Sequence, residues 1–201
     1  MKALNRAFFE ERDTLTIAKE LLGKYLVREY DGRIIVGQIT EVEAYIGAID
    51  KACHAYGGKK TKRTQTLYEK GGTCYVYLIY GMYCCMNVVT EKEGSAAAVL
   101  LRGVELLEGA DLAAQLRYGK PLDELTSAQR KNFTNGPGKL CRAMAVTKDD
   151  NGLDFCGGEL FITDTWNGAL TEPFSIEAGP RVGINYAEEA IDFPWRFCLK
   201  R

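Results

Sequence analysis

Glu41, Glu43 and Tyr45 occupy alternate positions in Arg33-Ile-Ile-Val-Gly-Gln-Ile-Thr-Glu-Val-Glu-Ala-Tyr45, a stretch otherwise rich in residues that bury. Side chains on a strand alternate in direction, so Ile39, Glu41, Glu43 and Tyr45 should share one face and Val42, Ala44 and Ile46 the other. Glu43 and Tyr45 then stand roughly 7 Å apart by strand rise. A carboxylate beside an aromatic face at the end of a core strand suits a site that holds a flat substrate and activates water next to it. An edge strand carrying two solvated glutamates is the alternative.

The elements around this stretch can be read from turns and periodicity. Asp31-Gly32 is a two-residue hairpin signal, which pairs the strand with Lys24–Tyr30. Tyr75-Val-Tyr-Leu-Ile-Tyr80 reads as a second strong strand, turned at Gly81 and returning through Cys84–Thr90. Alternation sets Tyr75, Tyr77 and Ile79 on one face and Val76, Leu78 and Tyr80 on the other. Ala97–Val104 is a third apolar strand that carries Arg102, and a charge inside such a run is rarely casual. Helices are expected over Thr14–Gly23, Glu105–Tyr118 and Asp123–Lys131. Another starts at Pro137 and Gly138 in Asn135-Gly-Pro-Gly-Lys-Leu-Cys141, where free N–H groups and Lys139 could hold a phosphate; a plain loop-to-helix junction is the commoner meaning. Further strands are expected at Glu159–Asp164, Phe174–Ile184 and Trp195–Lys200. Hairpins with segregated helices predict an antiparallel α+β domain spanning residues 1–201.

Composition narrows the function classes. With 201 residues, 46% hydrophobic and 26% charged, the chain is large enough for a sizeable core, which excludes disordered and fibrous classes. No apolar run is long enough for a signal sequence or a membrane span, so a cytoplasmic protein is expected, with chromosomal DNA in a prokaryote. Seven irregularly spaced cysteines and a single histidine argue against a zinc site and for reduced thiols. A net charge of −1 gives no global push toward nucleic acid, so such a partner must be met locally. Gly47–Gly72 is loop-rich and contains His54 and the run Lys59-Lys-Thr-Lys-Arg63. Polar loops of this length in a compact domain are usually functional or mobile.

Taken together, Glu41-Val-Glu-Ala-Tyr45, His54, Tyr75-Val-Tyr-Leu-Ile-Tyr-Gly-Met-Tyr83, Asn87, Val99-Leu-Leu-Arg102, Asn135–Cys141, Ala178-Gly-Pro-Arg-Val-Gly183 and Pro194-Trp-Arg-Phe197 resemble the alkyladenine DNA glycosylase family, also called the mammalian-type 3-methyladenine DNA glycosylases. The likeness spans nearly the whole chain in order. It implies a monofunctional glycosylase that excises damaged purines from double-stranded DNA as a monomer, without metal or organic cofactor. The implied fold is a curved, largely antiparallel sheet with flanking helices and a protruding hairpin that enters DNA. On the resemblance, Glu43 is the general base, and Arg102 and the backbone carbonyl of Val182 help position its water. Tyr45 is one wall of the base pocket, His54 and Tyr77 the other, and Asn87 lines it. Tyr80 fills the space left by the flipped nucleotide, with Met82 and Tyr83 on the same tip. Lys59, Lys60, Lys62, Arg63 and Lys139 are the candidate DNA contacts. The chain departs from the family's common Thr-Pro-Arg at Thr61-Lys62-Arg63, and from its Pro-Gly at Gly71-Gly72.

The chemistry fits these residue types. A stacked purine hides its glycosidic bond and must be rotated out. Alkylation makes the ring cationic, and aromatic faces attract it by roughly 0.5–2 kcal/mol per contact. A carboxylate can stabilise the oxocarbenium-like sugar while taking a proton from water. Two rivals explain less. A single-strand nucleic-acid module accounts for the tyrosines and the basic run but gives Glu43 and Arg102 no task; in a structural or interaction protein with no chemistry the same tyrosines are ordinary strand residues. 3-Methyladenine, 7-methylguanine, hypoxanthine and ethenoadenine all fit a stacked purine pocket.

Overall fold

The computed structural model describes residues 1–168 and 172–201. Its strands are β1 (Tyr25–Tyr30), β2 (Arg33–Ile46), β3 (Cys74–Ile79), β4 (Tyr83–Thr90), β5 (Ala97–Glu108), β6 (Leu160–Thr163), β7 (Ser175–Gly179) and β8 (Arg196–Lys200). All the strand pairs described are antiparallel, in the order β3-β4-β5-β2-β1-β6, with β8 added to β2 and β7 added to β8. The result is a curled sheet with few helices, as the α+β reading expects.

The long strand β2 serves two neighbourhoods. Up to Gln38 it lies between β1 and β5; from Glu41 to Glu43 its β1 edge is taken over by β8. A bulge sits at the changeover: Ile39 faces Val104 and Glu41 faces Gly103, so Thr40 is the extra residue. An extra residue inverts the alternation. Ile35 and Ile39 therefore enter the main core together with Val42 and Ala44. The expectation that Ile39 shares a face with Glu41, Glu43 and Tyr45 is thus corrected, because it assumed an uninterrupted strand.

The main core lies between the sheet and four helices, α1 (Arg6–Glu10), α2 (Thr14–Leu21), α3 (Ala110–Tyr118) and α5 (Pro137–Ala143), while α4 (Ser127–Lys131) adds no buried residue. Asp13 caps α2 by accepting from Thr16 N–H, and Ile17, Ala18 and Leu21 form its buried side. The segment before α5 pairs with β5 beside Arg102: Asn135 bridges Gly103, and Gly136 N–H donates to Arg102 O at 2.8 Å. Gly138 packs on Tyr83, where an added Cβ would stand 3.1 Å from Tyr83 Cβ. The glycine-proline motif therefore locks the root of the β3–β4 hairpin to the strand that carries Arg102.

Several spans differ from the sequence reading. Glu105–Glu108 continue β5 because β2 is long enough to pair with them, and the helix begins only at Ala110. Asp123–Thr126 precede a single capped turn at Ser127–Lys131. The expected strand Phe174–Ile184 stops at Gly179, before Pro180, and residues 181–184 instead line a cavity or pack beside it. Helix α1, five residues capped by Asn5, is too short to show a period.

Gly109 ends β5 at φ +72°, and an added Cβ would lie 2.2 Å from Ile34 O. Gly109→Ala should therefore lower stability by about 1–3 kcal/mol or more. A urea midpoint equal to wild type would show that this junction tolerates a side chain.

Candidate active site

The face of the sheet opposite the main core, at the β3-β4-β5-β2 end, is covered by the segment after β2 and the segment after β7. Asp50 fastens the first, accepting from Ile46 N–H at 3.1 Å and from Ala52 N–H at 3.0 Å. Cys53, Ala55 and Leu67 then pack with Tyr75, Val89 and Ala98. The long polar loop is thus anchored at both ends, and its basic apex is exposed. Between the two segments lies a cavity of about 230 Å³, lined by Tyr45, His54, Tyr77, Asn87 and Arg102 among others. That is below the ~300–1,000 Å³ typical of drug-sized ligands, a size for one ring system rather than a whole nucleotide.

Glu43 is fully buried beside this cavity. Its Oε1 accepts from Val182 N–H at 2.7 Å and lies 3.4 Å from Arg102 Nη1; its Oε2 accepts from Tyr45 O–H at 2.7 Å. Burial raises its pKa above the ordinary 4.5, and Arg102 with the two hydrogen bonds holds the rise back. Burial and the neighbouring Glu43 raise the Tyr45 pKa, so the phenol stays protonated and donates. Arg102 also donates through Nε to Glu41 at 2.8 Å, and Glu41 takes a second guanidinium, Arg196, at 3.1 Å. Glu41 is therefore a tether between two arginines.

His54 and Tyr77 meet edge to face, centroids 4.5 Å apart. His54 Nδ1 lies 3.0 Å from Tyr75 Oη and its Nε2 lies 3.3 Å from Arg63 Nη2. Burial and Arg63 push the His54 pKa down to about 4, so the ring is neutral near pH 7. Asn87 is buried, and its amide donates to Tyr75 O at 3.0 Å.

The β3–β4 hairpin ends in an exposed turn. Tyr80 is 83% exposed and Met82 67%, while Tyr83 at the root is held against Gly138. Tyr80 has φ +53° and Gly81 φ +71°, with Met82 N–H donating to Ile79 O at 3.2 Å. Two consecutive positive φ values make a tight hairpin turn that asparagine and glycine prefer. A tyrosine held there costs about 1–3 kcal/mol.

The basic residues are not one grip. Lys59, Lys60, Lys62 and Arg63 are all exposed, but Lys60 Nζ lies 5.1 Å from the Tyr68 ring and the Arg63 guanidinium lies 5.2 Å from the Tyr77 ring at the rim of the cavity. Lys139, on α5, donates to Asn132 Oδ1 and Asn135 Oδ1, both at 3.0 Å.

The sequence profile described as methylpurine-DNA glycosylase (MPG) matches residues 7–201. The chain belongs to this family. Among its relatives, a protein of Clostridium perfringens (strain SM101 / Type A) is 54% identical over 198 residues, covering 98% of this chain and 95% of its own length. One of Clostridium novyi (strain NT) is 52% identical over 200 residues, covering 100% and 96%. One of Alkaliphilus oremlandii (strain OhILAs) is 52% identical over 198 residues, covering 98% and 95%. All three bear the name "Putative 3-methyladenine DNA glycosylase". As a member of the methylpurine-DNA glycosylase family, the protein is a monofunctional DNA-repair glycosylase that hydrolyses the N-glycosyl bond of alkylated purines.

Sequence reasoning missed the pair that holds this glycosylase's site together. Arg181 and Asp50 are buried; Arg181 Nη1 and Nη2 donate to the two Asp50 oxygens at 2.5 and 2.9 Å, and Nη1 also to Ala44 O at 2.8 Å. The guanidinium lies 4.8 Å from the Tyr45 ring and 5.0 Å from the Trp195 ring, between the two. Its chain neighbour is Val182, whose N–H binds Glu43. The only signal was an arginine in a Gly-Pro-Arg-Val-Gly segment, which does not say that its partner lies 131 residues away. Asp50→Asn should lower stability by about 3–5 kcal/mol, because it leaves a buried guanidinium unneutralised. Chemical denaturation checks this, and a loss below ~1 kcal/mol would show that the hydrogen bonds alone suffice.

Proposed function

We propose that Glu43 is the general base, activating the water that displaces an alkylated purine rotated out of duplex DNA and leaving an abasic site. The observation that carries this reading is the geometry at Glu43. An ionised carboxylate has about four acceptor positions; Val182 and Tyr45 fill two by hydrogen bonds and Arg102 faces a third from 3.4 Å, which leaves one for a water. Burial raises its basicity and strengthens its attraction for the positive sugar of the transition state. Arg102 and the Val182 carbonyl complete the water's surroundings in this reading. Tyr45, on one side, and Tyr77 with His54, on the other, hold the base, and Asn87 contributes a polar edge. No lysine is among the residues lining the cavity, in keeping with hydrolysis by water.

Tyr80 is the proposed plug for the vacated stack, its wedge partly replacing the stacking that flipping removes. Met82 and Tyr83 flank it, and Lys59, Lys62 and Lys139 are the proposed phosphate contacts. A monomer is expected to suffice, since the cavity is built within one chain.

Glu43→Gln should reduce release of free purine from methylated duplex by about 10²–10⁴-fold with DNA affinity unchanged or stronger. A loss within about tenfold, ~1.4 kcal/mol of barrier, would assign the chemistry to another group. The same variant should be more stable at neutral pH. Because folding raises the Glu43 pKa, its contribution is favourable below the unfolded value of 4.5 and is lost as pH rises through the folded value. The gain in melting temperature should therefore shrink as pH falls towards 4.5, and a gain independent of pH would contradict the assignment.

Excision should fall on the acid side as Glu43 takes up its proton, with a midpoint above 4.5. His54, already neutral above about 4, should not contribute. Single-turnover profiles of wild type and His54→Asn should share that midpoint; a midpoint that moves would give the acid limb to the histidine.

Tyr80→Asn should stabilise the hairpin by about 1 kcal/mol, since asparagine tolerates positive φ, and should slow excision from duplex more than from single strands. Equal slowing on both substrates would remove Tyr80 from the flipping step.

A further inference from the structure

Of the cations among the described residues that line the cavity or back it, only one has no carboxylate. Arg102 pairs with Glu41 and Glu43, and Arg181, behind Tyr45, pairs with Asp50. Among the described residues, Arg63 makes no ion pair; its guanidinium carbon lies 5.2 Å from the Tyr77 ring, and Nη2 donates to His54 Nε2 at 3.3 Å. An arginine cannot accept, so Nε2 is the acceptor and the neutral His54 carries its proton on Nδ1, facing Tyr75 Oη. Arg63 thus fixes one tautomer and charges one wall of the cavity. Every residue of the Lys59-Lys-Thr-Lys-Arg63 run is exposed, and Arg63 is the one whose side chain also reaches the cavity rim.

A fixed positive charge at the rim repels a cationic purine and leaves a neutral one unopposed. We propose that Arg63 is a specificity-determining residue of the base pocket, favouring neutral lesion purines over cationic alkylpurines against the Tyr77 wall. This rests on the cavity being the pocket for the flipped base. The aromatic faces attract a cationic ring, and Arg63 opposes that attraction, so the two together set how far charge decides which base is removed.

The test compares wild type, Arg63→Gln and Arg63→Lys on two duplexes of one sequence, carrying either 7-methylguanine or hypoxanthine, under single-turnover conditions at mildly acidic pH, where the alkylated ring keeps its charge. Arg63→Gln should raise the ratio of the 7-methylguanine rate to the hypoxanthine rate by about tenfold, and Arg63→Lys, which keeps the cation, should stay near wild type. Equal changes on both lesions, the pattern of a phosphate contact, overturn the proposal. The chain has one histidine, so its NMR titration needs no assignment. In Arg63→Gln the His54 midpoint should rise from about 4, and an unmoved midpoint overturns the contact. Glu43→Gln is assayed in parallel. If it stops excision while the Arg63→Gln ratio is unchanged, only this inference fails; if excision persists, the reading of the cavity itself fails.

Discussion

A carboxylate with no surface open to bulk solvent is the constraint on which the site depends. Removing an ionised group from solvent is affordable to the fold only when donors replace the lost hydration, and those donors must come from the chain. For Glu43 they come from three separate places: Tyr45 two residues on in β2, Arg102 in β5, and the Val182 amide in the segment after β7. Only a sheet that brings β2 beside β5, and a loop held down by Arg181 and Asp50, can deliver all three at once. The fold is therefore inseparable from the protonation state of Glu43: the elements that make the carboxylate tolerable also set how readily it takes a proton.

The bulge at Thr40 shows how the sequence accommodates this. Before it, the odd-numbered residues of β2 supply the main core; after it, the even-numbered ones do, which releases the odd positions Glu41, Glu43 and Tyr45 to the opposite face. The same point is where β8 replaces β1 along the edge, bringing Arg196 to Glu41. One inserted residue thus keeps the core continuous while turning a row of polar side chains toward the cavity. It lies between two hydrogen-bonded neighbours that pin its register, which isolated strands lack.

What could be read in the sequence was local. The Asp31-Gly32 turn, the alternation of β3 and the turn at Gly81 each depend on residues a few positions apart, and these elements stand where periodicity puts them. The nearness of Glu43 to Tyr45, and of Tyr75 and Tyr77 to one cavity, follows from the same period. What could not be read was pairing at a distance. The length of β5 is set by β2, the Arg181–Asp50 pair joins two loops, and Arg63 looks in sequence like one more member of a charge run. Ile39 was misread for a related reason: a bulge has no composition of its own when the extra residue is a threonine, a common strand former.

The places where local preference is violated are not scattered. Glu43 is a buried acid in a strand, Tyr80 a bulky residue at positive φ, and Arg63 a guanidinium without a carboxylate at the mouth of an aromatic cavity. Around them the rest of the chain is conventional: α2 carries an aspartate cap, α4 a capping box, and apolar residues fill both sides of the sheet. Strain and unfavourable burial persist only where the surroundings over-determine them. Each of these three sites is so fixed, Glu43 by its donors, Tyr80 by a hairpin whose root is locked against Gly138, and Arg63 by His54 and Tyr77. On the proposed reading the enzyme's function is thus concentrated in the few positions that its stability would choose differently, and a substitution there can be expected to improve one at the expense of the other.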